Sequence, residues 1–345
     1  MIHKSFLDVS LYINIVNTID IKDKKILYEL DLNSRQSLAQ IGKKVGLAKS
    51  IVSYRINRLI NLGIIKNFYT VVDLYKLGFI APRFHFVYQY ITPAIQKEIE
   101  EFFTKSKHSF IVVSTYGPFD LSVLMGIHDI RELYTLWQDI QNKFGYYFQK
   151  QNFAFYLNET HLSLDYLLGT NKRTFAPKPF ALHTIKPEII QLDTIEYRIL
   201  QEISGNVRVS LTELSKTLDL SSRQIGYRIK KLYDVGIIEG FRTEIDITKL
   251  GYNTYKVYIF LREHRLRQQI LSYVSQHPNL VCIDTTTGES HLELEFHLSS
   301  IDSLHSILQD VSEKFPNAIK NYQYCSVKEV HKWLYLPQLS IKNKN

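Results

Sequence analysis

Two stretches of the sequence place basic and polar side chains at helical spacing, KSIVSYRINRLIN from Lys49 to Asn61 and SRQIGYRIKKLYD from Ser222 to Asp234. In the first, Val52, Ile56 and Leu59 share one helix face, which turns Lys49, Ser50, Ser53, Tyr54, Asn57, Arg58 and Asn61 outward. In the second, Ile225, Ile229 and Leu232 face inward, and Ser222, Arg223, Gly226, Tyr227, Lys230, Lys231 and Asp234 face out. Such a helix suits the DNA major groove: polar groups near its N-terminus reach base edges, and flanking Arg and Lys meet phosphates. The candidate contacts to double-stranded DNA are Lys49, Ser50, Ser53, Tyr54, Arg55, Asn57, Arg58 and Lys66, with Ser222, Arg223, Gln224, Tyr227, Arg228, Lys230, Lys231 and Arg242. Basic exposed faces also occur on ordinary solvated helices; what favours nucleic acid here is that two matched copies carry one.

The charge distribution agrees. The 345-residue chain has a formal net charge of +8, and residues 20–78 hold 11 Lys and Arg against 5 Asp and Glu, a net +6. Residues 193–251 carry nine of each sign, yet Ser221 to Tyr233 contains four basic residues and no acid.

Other reactive side chains point nowhere as clearly. His291, Glu293, Glu295 and His297 alternate on one strand, with next neighbours roughly 6.8 Å apart, too far for one strand to wrap an ion. Polar packing between sheets, or exposure, is expected of them, and no metal. Cys282 and Cys325 lie outside any CxxC or Cys/His cluster, so neither a disulfide framework nor a zinc finger is expected and both are read as small apolar residues. No P-loop, GxGxxG, GxSxG or HExxH occurs. The expectation is therefore a non-enzyme without cofactor. No apolar run approaches the roughly 18 residues of a membrane span and the N-terminus lacks a leader pattern, so a cytoplasmic location with no membrane partner is expected.

The elements that would position the two helices are themselves duplicated. Asp20 to Gly78 aligns without gaps on Asp193 to Gly251 at an offset of 173, with 23 of 59 positions identical, and both copies end in KLG. After a two-residue gap the offset becomes 171, and LYTLWQDIQNKF (Leu133 to Phe144) matches LHSILQDVSEKF (Leu304 to Phe315). Within each copy three helical bursts come first, the second and third forming a helix-turn-helix closed by Gly63 in the first copy. The β-rich stretch IIKNFYTVVD is expected to fold back on itself as a wing. A βαββαβ series follows, with helix starts marked by Thr92-Pro93 and by Asp129 with Glu132. Such a unit makes an antiparallel sheet with helices on one face, and another copy is expected to cover the other face, within the chain or as a homodimer.

The division expected is an N-terminal extension (1–19), winged helix-turn-helix 1 (20–80), α/β domain 1 (81–160), a linker (161–191), winged helix-turn-helix 2 (192–252), α/β domain 2 (253–336) and a tail (337–345). The fold class is α+β, two tandem units each pairing a winged helix-turn-helix with a ferredoxin-like βαββαβ effector domain.

This series resembles the leucine-responsive regulatory protein/AsnC (feast/famine) family of transcription regulators. The resemblance rests on YRIxxLxxxGII at Tyr54 to Ile65 and Tyr227 to Ile238, on Leu77-Gly78 and Leu250-Gly251, and on the Gly-x-x-Asp pattern at Gly117 to Asp120. It implies sequence-specific DNA binding, pairing of the effector sheets, and a small-molecule effector, often an amino acid. By resemblance alone, Thr115, Gly117 and Asp120, and Gly288 and His291 in the second copy, are candidate effector contacts; His291 stands where the pattern has aspartate. Two other functions use similar parts: siroheme decarboxylases on the same fold, and nucleoid-type architectural proteins. Because the two outward faces differ, an internal pseudo-dimer would read an asymmetric operator with half-sites about one helical turn, roughly 34 Å, apart.

Overall fold

The structure, a computed structural model, describes residues 19–171, 173, 180–183, 188–288 and 290–338. Most of the expected N-terminal extension and tail lies outside the described residues.

Each copy opens with three short helices: α1 (Ile21–Leu32), α2 (Leu38–Val45) and α3 (Lys49–Asn61), then α6 (Thr194–Gly205), α7 (Leu211–Leu218) and α8 (Ser222–Asp234) in the second copy. Local chemistry starts them. Asp20 with Asp23, Ser37 with Gln40, Asp193 with Glu196 and Ser221 with Gln224 form reciprocal capping boxes that satisfy first-turn N–H groups. Ile26, Leu30, Ile41, Val52, Ile56 and Leu59 are buried, as their spacing requires.

The wing differs from the expectation. Strand β1 (Ile65–Val72) does not fold back; it pairs antiparallel with its counterpart β7 (Ile238–Ile245) in the other copy. The reason is local: the eight residues IKNFYTVV contain no Gly or Pro where the chain could reverse. The pairing is two-fold in character, and side-chain bonds repeat it. The Thr70 hydroxyl donates to Ile203 O in α6 (2.6 Å), and the Thr243 hydroxyl donates to Leu30 O in α1 (3.0 Å). Each head is thus sealed by a strand of the other.

The second halves are β2 (Pro82–Tyr88), α4 (Pro93–Lys105), β3 (Ser109–Tyr116), β4 (Leu121–Met125), α5 (Ile130–Phe144) and β5 (Phe148–His161) in the first copy. In the second they are β8 (Asn253–Leu261), α9 (Arg267–Val274), β9 (Leu280–Thr287), β10 (Leu292–Leu298), α10 (Ile301–Lys314) and β11 (Ile319–Trp333). The segment expected as a linker adds β6 (Phe180–His183) on β5 and buries Leu164, Tyr166 and Leu167 in the core of the heads. The order β2-β4-β3-β11-β8-β10-β9-β5 closes through a β2–β5 pairing, so the two sheets form one eight-stranded antiparallel ring. Its two seams between copies are β5–β9 and β11–β3. Closure removes the open edges that four-stranded sheets would expose.

Strand alternation then sorts side chains to two sides. Phe84, Phe86, Val257, Ile259, Leu292, Leu294 and Phe296 pack beneath the helices. The alternate positions Arg83, His85, Lys256, Tyr258, Glu293 and Glu295 point into the ring, which is therefore polar inside. Arg83 and Lys256 occupy the same position of the two copies. Arg83 pairs bidentately with Glu293 across the copies, its Nη2 lying 2.8 Å from Oε1, and Glu293 also accepts from the Thr286 and Ser290 hydroxyls. Lys256 pairs with Asp284, and both cations donate to the Tyr156 hydroxyl at 2.8–2.9 Å. Cys282 is not the apolar residue expected: its Sγ sits 3.4 Å from Asp284 Oδ1 and 3.8 Å from Glu159 Oε1. Cys325 does pack as expected, against Phe119 and Tyr258.

Burial opposes ionisation of Glu293, but the charge and hydrogen bonds of Arg83 outweigh it and bring its pKa down from 4.5 to about 2. A depressed carboxylate contributes stability that is present above pH 4.5 and lost as the pH falls toward 2. Glu293→Gln leaves Arg83 buried without its charge partner, so it should cost about 3–5 kcal/mol at pH 7 in urea unfolding. The gap from wild type should narrow between pH 4.5 and 2; a gap that stays constant over that range would mean that the pair is not ionised.

Candidate nucleic-acid interface

Helices α3 and α8 lie on the surface of their heads with only the expected apolar stripe buried: Val52, Ile56 and Leu59, and Ile225, Ile229 and Leu232. Tyr54 and Tyr227, at equivalent positions, are 67% and 70% exposed, so a large planar ring stands out from each helix. Lys49, Ser50, Asn57, Arg223, Gln224, Lys230 and Lys231 are also exposed, while Ser53 and Ser222 are half-buried. Among the described residues neither Lys49 nor Arg223 has an ion pair.

Other basic residues hold the helices in place. Arg55 Nη1 contacts Asp20 and Asp23 at 2.9 and 2.8 Å, and Arg58 Nη1 reaches Asp23 at 3.1 Å. The second copy repeats the arrangement, with Arg228 on Asp193 at 2.5 Å and Lys231 on the buried Glu196 at 2.6 Å. The same acids cap α1 and α6, so one cluster joins the start of the first helix of each head to the flank of the third. Arg55, Arg58, Arg228 and Lys231 thereby fix helix orientation first. Lys230 pairs with Asp234 one turn on, and Lys66 lies 3.4 Å from Asp246 of the other copy.

The expected contact at Arg242 is overturned. It is 5% exposed, its guanidinium lies on Asp31 of the other copy at 2.6 and 2.9 Å, and Asp31 holds its charge against the cost of burial. The β1–β7 pairing turns this wing position inward.

Two positioning contacts are not evident from the sequence, those of Lys76 and Lys249 of the repeated KLG. Lys76 Nζ donates to Val235 O and Gly236 O (3.1 and 3.0 Å) at the C-terminus of α8, and Lys249 Nζ donates to Leu62 O (2.7 Å) at the C-terminus of α3. Each copy thus caps the other's third helix with a cation, which suits the negative end of a helix dipole. Their retention at constant offset was the available signal.

The residues read as effector contacts are engaged in joining strands and copies. The Thr115 hydroxyl donates to Phe119 O (2.7 Å), Asp120 accepts from Tyr88 N (2.7 Å), and His291 Nδ1 accepts from Leu261 N (2.7 Å). Gly117, at φ +143°, lies where a Cβ would come within 2.7 Å of Tyr324 O; for Gly288 the nearest atom is Phe153 O at 3.0 Å. Both glycines permit close approach of the opposite copy.

Comparison with known proteins follows the same two units. A winged helix-turn-helix DNA-binding family matches residues 19–66 and again 192–239. An uncharacterized HTH-type transcriptional regulator of Pyrococcus abyssi (strain GE5 / Orsay) is 31% identical over 123 residues, covering 34% of this chain and 81% of that protein. The HTH-type transcriptional regulator LrpB of Bacillus subtilis (strain 168) is 26% identical over 144 residues, 41% of this chain and 93% of that protein.

The chain belongs to the Lrp/AsnC family.

Each of these alignments is about as long as one copy, and the helix-turn-helix model matches this Lrp/AsnC chain twice. Over the full length the fold is similar to the crystal structure of the siroheme decarboxylase NirDL, with a TM-score of 0.59, 13% identity, and coverage of 92% of this chain and 94% of that one. That likeness concerns the two-unit fold.

Gly226, inside α8, has room: an added Cβ would meet only Leu211 Cδ1 at 3.6 Å, an ordinary contact. Glycine in a helix interior costs about 1 kcal/mol relative to alanine. Gly226→Ala should therefore raise stability by roughly 0.5–1 kcal/mol in urea unfolding; destabilisation would show that the helix needs its glycine.

Proposed function

We propose that this chain is a DNA-binding transcription regulator whose two heads read one asymmetric operator. The observation that carries the reading is the pair of exposed third helices, α3 and α8, each in a segment that matches a winged helix-turn-helix DNA-binding family. Lys49 and Arg223 supply charge toward phosphate and guanine, and Ser50, Asn57 and Gln224 supply hydrogen-bonding groups for base edges. Aligned outward positions differ: Lys49 against Ser222, Ser50 against Arg223, Ser53 against Gly226, Asn57 against Lys230. Two heads so different prefer different half-sites. A small molecule such as an amino acid would act through the α/β ring, which both heads contact.

Lys49→Ala should weaken binding across all sequences and lower the salt slope of log K by about 1. Arg223→Ala should cost about 1–3 kcal/mol and relax preference at one base pair. Unchanged affinity in both variants would remove the two helices from the interface. Footprinting of a selected operator should show unlike half-sites; a perfect palindrome bound by a single chain would sink the asymmetric reading, and equal affinity for random DNA would favour an architectural role.

The full-length likeness to NirDL supports a second reading, an enzyme on the same fold. Mixing the chain with siroheme distinguishes them: saturable one-to-one binding, seen as a shifted visible spectrum, together with no DNA affinity would favour the enzyme.

A further inference from the structure

We propose that Glu159, His161 and Cys282 form a binding site for a divalent transition-metal ion of the zinc class. Strand β5 presents Glu159 and His161, two residues apart and so on one side, and β9 brings Cys282 opposite His161 in the ladder. All three are buried, and their ligand atoms lie within 4.8 Å of one another. Glu159 Oε1 is 3.1 Å from His161 Nε2 and 3.8 Å from Cys282 Sγ. Carboxylate, imidazole and thiolate are the ligand types zinc takes, and tetrahedral bonds of about 2.0–2.3 Å set donors roughly 3.3–3.8 Å apart. The Tyr335 hydroxyl, 2.8 Å from His161 Nε2 and 3.5 Å from Glu159 Oε1, sits where it must turn aside or become the fourth donor.

Two further observations favour an ion over a self-contained hydrogen-bond network. Inside the ring, Glu159, Asp284, Glu293 and Glu295 place four carboxyl groups beside the two cations Arg83 and Lys256, an acid-rich surrounding that suits a further cation. The fold itself does not demand these residues. At the offset of 171 the other seam has Val330 for Glu159, Lys332 for His161, Ile111 for Cys282 and Val113 for Asp284. The other seam has none of the three ligand types at these positions, so among the described residues the site occurs once. It opens on a cavity of about 460 Å³ bounded by β7 and β11, which gives an ion a way in.

The test uses the full chain, stripped with a chelator and titrated with Co²⁺. The expected result is saturation at one equivalent, with a thiolate-to-cobalt band in the near ultraviolet and d–d bands in the visible. Cys282→Ser should abolish the thiolate band, His161→Ala should abolish saturable binding, and Cys325→Ser should leave both intact, with far-ultraviolet circular dichroism confirming that each variant is folded. No saturable binding by the wild-type chain, or a thiolate band that survives in Cys282→Ser, overturns the proposal. The outcome is independent of whether the chain binds DNA.

Discussion

Strands β1 and β7 have no partner within their own copy, and a single strand with two open edges cannot persist in water. Their antiparallel pairing with each other meets that constraint, and the heads are built on it. The pairing brings Thr70 and Thr243 to the carbonyls of the opposite first helices and delivers Lys76 and Lys249 to the ends of the opposite third helices. Neither head holds its third helix unaided, and the relative placement of α3 and α8 is a property of the pairing.

Below the heads, ring closure meets the same constraint for eight strands, but the interior is filled unlike an ordinary core. Arg83 and Lys256 are equivalent residues, yet both find their acids in the second copy, Glu293 and Asp284. The first copy has Ser122 and Val113 at those positions. A two-fold scaffold therefore encloses a one-sided charge arrangement. Buried pairs of this kind add little to stability against an apolar alternative, while a strand slip that separated them would leave charges uncompensated. Here they pin the register of β2 and β10 within the ring.

Much of this was legible in the sequence. The repeat, the capping residues Thr92 and Asp129, the buried stripes of α3 and α8 and the βαββαβ order follow from local spacing and chemistry. The parts that were not legible depend on contacts between distant residues. A basic residue in a presumed wing reads as a DNA contact, and nothing near Arg242 announces Asp31, 211 positions away. The wing was misread for the same reason, since strand composition does not name a partner. Cys282 looked apolar because its neighbours Val281 and Ile283 are; only the β5–β9 ladder sets it beside Glu159 and His161. The alternation in HLELEFHL did carry the polar interior, because its apolar residues all face the helices.

The two interlocked units share one continuous backbone, and this changes how the protein responds to its own abundance. A regulator assembled from separate subunits loses its paired form on dilution, so its active fraction depends on concentration. Here the strand exchange is intramolecular and each unit meets the other at a fixed effective concentration. Within one chain the pairing of the two units therefore does not vary with concentration. Heterogeneity between the halves is thereby inherited with the gene and does not depend on partner exchange.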